Sequence, residues 1–562
     1  MVLWMGTVVG VLTLAGRLFY WQVVRHQDLQ LIGEELRSQD TSIPSLRGTI
    51  MDRHGFILAI DQYEFKVFAT PRDIDDADGL AAELAPILGM NPGELAELLS
   101  QEDESYVPLA QEVPLEEARR VQEVKGDLHV AGLGISVFTK RVYPENELAC
   151  HLLGFVTHDH EVFYGIEEFY DEKLRGRDGS WGSTGDIPGL EIDVVPGKVV
   201  LPQDGLDVLL TVDRTTQHMV EEELQRAISE YRAEEGTIIV MNPRTGAILA
   251  MASYPGYDPN LYFEEATREE PFTNPAVSAV FEPGSIFKVI TMAAALDSGL
   301  VERHSTYNDQ GQIYVGGHLI QNWDRRAYGA TSMTGLLRYS LNVGAATLST
   351  NLGAQRFYDY LQRFGLGEVT AIDLAQESPG IMRVAGDGDW REGDLGTNSF
   401  GQGIAVSPIQ MITAVAAVAN EGILPRPYVL QRIEQADQII EEFHPQPGGR
   451  VISALVAREL TEMLVEAVAG MENLRMPGYV IAGKTGTAQI PVAGGYHPED
   501  TIACFVGYAP AHDPQFIILV KLDRPRESPW GSQVAAPVFR RIAERLIVYL
   551  GIPPDDVAMA SR

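Results

Sequence analysis

The chain has 562 residues, 43 Lys and Arg against 78 Asp and Glu, a formal net charge of −35, and 45% hydrophobic residues. That composition belongs to a globular protein with a large core rather than a disordered one, and the acidic balance excludes a nucleic-acid binder, which needs a basic face for phosphate. Two cysteines, Cys150 and Cys504, build neither a disulfide framework nor a C-x-x-C metal or redox site, and length alone suggests three or four domain-sized units.

Val2 to Gly16 carries no charge, and after Arg17 the apolar run resumes to Val24. These roughly 23 residues suffice for one bilayer crossing at ~1.5 Å rise per residue, with Tyr20 and Trp21 suited to the interface. No basic segment precedes the run and no A-x-A site follows it, so residues 1–24 are expected to be an uncleaved anchor rather than a signal peptide. Residues 45–70 alternate short apolar runs with turn residues, which predicts strands and a hairpin. Residues 80–125 show helical spacing broken at Asn91-Pro92-Gly93, hence two or three short helices. The Gly- and Pro-rich stretch from Arg175 to Gly205 reads as an inter-domain segment. This divides the chain into an anchor (1–24), a mixed α/β pedestal (25–205) and a catalytic-sized domain (206–562).

In the last of these, GLDVLLTVD predicts a strand and RTTQHMVEEELQRAISEYRAE a helix. TIIVMNP and AILAMAS, joined at Arg244-Thr245-Gly246, predict a hairpin at the centre of an antiparallel sheet. FIILVKLDRP and the helical VAAPVFRRIAERLIVYL are expected to close that sheet. The fold class is therefore α+β, an antiparallel sheet flanked by helices.

Three motifs carry the candidate chemistry. Ser285 and Lys288 lie three apart after Glu282-Pro283-Gly284 and before an apolar helical run, so they share one helix face at its N-terminus. A desolvated Lys288 would have a lowered pKa and serve as base to a serine nucleophile. Ser340 and Asn342 fall between two helical stretches, where a hydroxyl and a carboxamide can relay a proton and hold an amide. Lys484-Thr485-Gly486-Thr487 lies in a strand-like segment; its lysine and hydroxyls offer a cationic edge for a carboxylate, and Gly486 would let a substrate backbone approach. The residues Gly478 to Thr485 also match G-x-x-x-x-G-K-[ST], but no helix is predicted to open at the Lys-Thr pair, which argues against a phosphate loop. His158, His160 and nearby His151 read as a polar turn more readily than as metal ligands. Gly401-Gln402-Gly403 reads as a structural turn.

The order S-x-x-K, S-x-N, K-T-G, with intervals of 55 and 144 residues, resembles the signature of the penicillin-recognising serine acyltransferases. The surrounding segments NPAVSAVFEPGSIFKVIT, RYSLNVGAATLSTNLG, SFGQGIAVSPIQM and AGKTGTAQ resemble class B penicillin-binding proteins. So do Arg47 to Gly55 (RGTIMDRHG), RVYPENELACHLLGFV and YGIEEFYDEKLRG, which resemble pedestal blocks of that family. The resemblance implies a peptidoglycan D,D-transpeptidase that needs no cofactor or metal, anchored in the membrane with its catalytic domain outside. Its partners would be stem peptides ending in D-Ala-D-Ala, an amine acceptor, β-lactams and a SEDS-family glycosyltransferase. Ser285 is then the nucleophile, Lys288 its base, Ser340 and Lys484 the proton relay and Asn342 the amide holder. Thr485 and Thr487 take the terminal carboxylate, and Lys484 is the local cation. A membrane-anchored β-lactamase and a β-lactam sensor are the alternatives that share these motifs.

Overall fold

The computed structural model describes residues 38–101, 103–184, 199–265, 272–436, 438–492 and 494–560. The expected anchor, residues 1–24, lies outside them; among the described residues no helix is long and apolar enough to cross a membrane. The described residues form two compact units, neither continuous in sequence: those within 38–48, 61–140 and 175–205 make the smaller, and those within 49–60, 141–174 and 206–560 the larger. Residues 49–60 and 141–174 thus group with the larger unit, so the compact units are not the linear segments 25–205 and 206–562.

In the smaller unit the helix Ala77–Leu88 is followed by Pro92–Leu99. Asn91 caps the second, its Oδ1 accepting from Gly93 N at 2.8 Å, with Pro92 at the first helical position; this is the break the sequence marks. These helices and Leu115–Asp127 enclose a core of Val67, Leu80, Leu84, Leu95, Val107 and Val121 against paired strands, Ala69 opposite Val107. The Arg175–Gly205 stretch is not a loose connection throughout. Gly179–Thr184 pairs antiparallel with Ser38–Ile43 and with Val199–Val200. Its small residues hid these strands, because backbone pairing does not require the apolar side chains by which strands are recognised in a sequence.

In the larger unit the elements that position the site are, in chain order, α1 (Arg214–Tyr231), β1 (Glu235–Met241), β2 (Ile248–Tyr254), α2 (Lys288–Asp297), α3 (Met333–Tyr339), α4 (Asn342–Leu352), α5 (Pro408–Ala419), α6 (Ala454–Val468), β3 (Ala482–Val492), β4 (Gly495–Ala509), β5 (Phe516–Asp523) and α7 (Gly531–Tyr549). The five strands form one sheet in the order β2-β1-β5-β4-β3, antiparallel at every pairing. FIILVKLD is its central strand, buried along its whole length, rather than a closing edge. The β1–β2 hairpin, expected at the centre, ends the sheet instead. A strand buried on both faces reads as a continuous apolar run, and that run, more than the hairpin, marks the centre.

The period-two pattern of the strands sorts two cores. Ile239, Met241, Val506 and Leu519 face a cluster shared with α2, α4 and α5, while Ile238, Val240, Phe505 and Val520 face one shared with α1 and α7. Every residue of α5 is buried, as expected of a helix apolar all round, and Ser407 with Gln410 closes its N-terminus as a capping box. The RGTIMDRHG segment supplies a second kind of joint. Buried Asp52 accepts from His54 N at 2.8 Å and Phe56 N at 2.9 Å to close a tight turn. Its other oxygen accepts from Arg214 N at 3.0 Å, at the start of α1. Arg141 and Glu167, from the two later pedestal-like blocks, form a buried ion pair at 2.7 Å.

Candidate active site

Ser285 stands on a single 3-10 turn, Gly284–Phe287, and Lys288 is the first residue of α2. The serine therefore sits just before the α-helix, not within it. The three-residue spacing still holds, because residues three apart eclipse on a 3-10 turn, and Lys288 Nζ donates to Ser285 Oγ at 3.0 Å.

The second motif is built by a reversal between helices. Ser340 ends α3 in the left-handed region, φ 57°, which costs a non-glycine residue about 1–2 kcal/mol. Asn342 then opens α4. The reversal turns Ser340 O, Ser340 Oγ and Asn342 Oδ1 toward Lys288 Nζ, at 2.6, 3.2 and 2.8 Å. Lys484, on β3, donates to Ser340 Oγ at 3.1 Å and to Thr485 O at 3.0 Å. One hydroxyl thus bridges two lysines brought from a helix and a strand.

Both lysines are buried, Lys288 at 0% and Lys484 at 3% exposure. Burial drives the Lys288 ammonium well below its ordinary range, and the neighbouring Lys484 drives it further. Burial alone pushes Lys484 down to about 7. Among the described residues no carboxylate hydrogen-bonds either amine, so near neutrality the pair holds far less charge than two surface lysines, and an amine is available as a base. Lys484 is correspondingly a weaker cationic edge than its residue type suggests.

A cavity of about 450 Å³ opens in front of this array. Ser285, Ser340, Lys484, Thr485 and Thr487 line it; Lys288, Asn342 and Gly486 do not. Asn342 has both ends of its amide engaged, Oδ1 by Lys288 and Nδ2 by Gln321 O at 3.0 Å, so in this geometry it orients the lysine. Thr487 Oγ1 accepts from Gly531 N at 3.1 Å, which leaves its hydroxyl hydrogen free to donate into the cavity. Gly486 faces the nucleophile turn: a Cβ there would lie 3.0 Å from Ile286 Cγ2 and 3.2 Å from Pro283 O. Its missing side chain lets β3 pack on the turn that carries Ser285, so the close approach it permits is internal rather than to a substrate backbone.

The Gly401-Gln402-Gly403 turn abuts the same place. Gly401 O accepts from Gly284 N at 3.1 Å, and a Cβ on Gly401, whose φ is +77°, would meet Gly284 N at 2.5 Å and Gly284 O at 2.4 Å. Gly401→Ala combines left-handed strain with a backbone clash, about 1–3 kcal/mol at the least. The expected result is a lower melting temperature together with at least tenfold slower acylation by penicillin. A thermal melt and stopped-flow labelling check this; unchanged acylation in a folded variant would separate the turn from the chemistry.

Other sequence candidates fall elsewhere. Gly483 and Lys484 lie within β3, and no helix opens at Thr485, so the phosphate-loop geometry is absent. His158 rests beside Tyr262, ring centroids 5.8 Å apart, and the described residues hold no cluster of three or more His, Cys, Asp or Glu that would bind a metal. Cys150 and Cys504 are buried free thiols pushed upward by desolvation, the opposite of an activated nucleophile.

Sequence reasoning missed Trp323, Trp530 and Arg338, all of which line the cavity. The two tryptophans meet edge to face, centroids 5.4 Å apart, and Trp323 Nε1 donates to Tyr339 O at 3.2 Å. Only the placement of Arg338 two residues before Ser340 hinted at a role, and an arginine in a last helical turn is ordinarily a helix-end cation.

Comparisons with known proteins bear on this geometry. Residues 236–544 match the penicillin binding protein transpeptidase domain, and residues 42–162 the penicillin-binding protein dimerisation domain. The chain is 32% identical to stage V sporulation protein D of Bacillus subtilis, over 96% of this chain and 83% of that one. It is 30% identical to the peptidoglycan D,D-transpeptidase FtsI of Escherichia coli, over 98% and 91%. The crystal structure of penicillin binding protein 3 of Mycobacterium tuberculosis complexed with aztreonam superposes with a TM-score of 0.69 at 26% identity, covering 91% of this chain and 98% of that one.

Proposed function

The chain belongs to the class B penicillin-binding transpeptidases, and from that premise we propose that it cross-links peptidoglycan through a Ser285 acyl-enzyme and is acylated at the same serine by β-lactams. The observation that carries the reading is the chain of contacts from Ser285 Oγ through Lys288 Nζ and Ser340 Oγ to Lys484 Nζ, at 3.0, 3.2 and 3.1 Å. Lys288, neutral through burial, takes the Ser285 proton as Oγ attacks the carbonyl of the penultimate D-Ala. The developing oxyanion is held by the backbone N–H groups of Ser285 and Thr487, worth about 3–4 kcal/mol per donor. The Lys288–Ser340–Lys484 chain delivers the proton to the departing D-Ala nitrogen, and Asn342 keeps Lys288 aimed. Thr485 and Thr487 hold the terminal carboxylate. An acceptor amine then attacks the ester, forms the new peptide bond and returns a proton to Ser285 Oγ.

Residues 1–24 serve in this reading as a single membrane anchor with the catalytic domain outside, and a SEDS-family glycosyltransferase supplies the glycan strands; the length and apolarity of the N-terminal run support the anchor. Among the described residues no Asp or Glu lines the cavity, so none of them offers a carboxylate to activate water on the acyl-enzyme, which disfavours hydrolysis. The β-lactamase reading therefore fails if penicillin labels one equivalent of enzyme and nitrocefin hydrolysis stops after a single burst. Sustained turnover of nitrocefin would instead remove the transpeptidase reading.

A further inference from the structure

Arg338 stands apart in a chain whose acidic residues outnumber its basic ones nearly two to one. It lies in the last turn of α3, two residues before Ser340, and lines the same cavity. Other arginines of the larger unit pair with carboxylates, Arg303 with Glu466 and Arg524 with Glu234 among them. Arg338 has no ion pair among the described residues; its guanidinium carbon lies 5.9 Å from the centroid of the Tyr339 ring. The guanidinium reaches past the end of α6, its Nη2 3.7 Å from where a Cβ on Gly470 would sit.

The cavity needs a cation that stays charged. Among the described residues its only other basic lining residue is Lys484, whose ammonium burial pushes down to about 7, whereas a guanidinium is protonated at any working pH. Among the described residues no Asp or Glu lines the cavity to neutralise it. Trp323 and Trp530 line the same cavity, 57% and 41% exposed, and their rings favour the carbon stem of a side chain. An arginine fork left unpaired in an otherwise acidic protein, beside a half-exposed aromatic pair, is a subsite for a group with an apolar stem and a carboxylate end.

We propose that Arg338, with Trp323 and Trp530, binds a second carboxylate of the substrate, carried on a side chain of the stem peptide and distinct from the terminal carboxylate assigned to Thr485 and Thr487. The proposal rests on the transpeptidase reading of the cavity. It makes Arg338 a specificity residue: the enzyme prefers peptides whose side-chain carboxylate is free over those in which it is amidated.

The experiment compares two penicillins on the full-length chain in detergent: benzylpenicillin, and carbenicillin, which adds one carboxylate to the same side chain. Acylation of Ser285 is followed for wild type, Arg338→Ala, Arg338→Gln and Arg338→Lys. The expected result is a five- to tenfold slower reaction with carbenicillin in the Ala and Gln variants, less than twofold change with benzylpenicillin, and partial recovery in Arg338→Lys. A stem-peptide thioester with its side-chain carboxylate free or amidated should show the same split, expressed in KM rather than kcat. Equal slowing with both penicillins would reduce Arg338 to a structural residue, and no change with either would remove the subsite. Failure of benzylpenicillin to label wild-type Ser285 would instead overturn the transpeptidase reading itself, an outcome independent of Arg338.

Discussion

Ser285→Ala is expected to abolish penicillin labelling outright and to lower transpeptidation by about 10⁵–10⁶, the scale on which removing a catalytic serine costs a triad enzyme. The prediction is sharp because a second serine competes for the role. Ser340 Oγ accepts from both lysines and also lines the cavity. Ser340, however, stands in the left-handed cap of α3 between the two amines, a place for a relay. Ser285 is on the short turn packed beneath the edge strand β3, across from Gly486, and one lysine serves it. Mass spectrometry after penicillin treatment decides between them. An adduct on Ser285 that survives, more slowly formed, in Ser340→Ala supports this assignment. An adduct on Ser340 would exchange the two roles.

Lys288 carries the second large effect. Lys288→Met, of similar length, and Lys288→Arg are both expected to slow acylation about 10²–10⁴-fold, the range for loss of a positioned base. The pairing of variants matters, because arginine keeps the charge and cannot give up a proton. Recovery of activity in Lys288→Arg would mean that the lysine acts as a charge. Removing the amine leaves Ser340 O and Asn342 Oδ1 without their donor, at about 1–3 kcal/mol each when buried. A thermal melt beside the kinetics therefore separates folding from chemistry.

The pH dependence follows from the same burial. The amines share Ser340 Oγ, so the acid limb of the acylation rate belongs to the pair, and acylation should fall as pH drops below about 7, where Lys484 gains its proton. The linkage to stability has a definite sign. A lysine with its folded pKa lowered leaves the folded state holding fewer protons than the unfolded one, between about 7 and the ordinary lysine value. Stability therefore increases with pH across that window and is lower below it. This is a cost of keeping a base neutral, accepted at the site and offset by the apolar cores on either side of the sheet.

Much of this was legible in the chain because it depends on short-range pattern. The spacing of Ser285 and Lys288, the Ser340–Asn342 pair and the Lys484–Thr487 strand each follow from local backbone geometry, and the short continuous apolar runs IIVM and FIILV mark strands whatever their partners. The Asn91-Pro92 break between helices is written in two residues. By contrast, the place of FIILVKLD at the sheet centre depends on β1 and β4 lying on either side of it. The strands in residues 179–200 depend on pairing with residues 38–43, more than a hundred positions away, and nothing local records that.

The same division runs through the site. Sequence by itself determined which functional groups the chain carries and in what order, enough to identify the family resemblance and to single out Ser285 as the candidate nucleophile. Tertiary structure alone decided which of them face the cavity. It put Lys288 and Asn342 behind Ser285 and Ser340, turned Gly486 against the nucleophile turn, and lowered the charge of Lys484 by burying it. It also brought Trp323, Arg338 and Trp530 to one opening from segments up to about two hundred residues apart. The physical reason is that burial and orientation are set by how helix ends meet an edge strand, a property of long-range packing rather than of any motif.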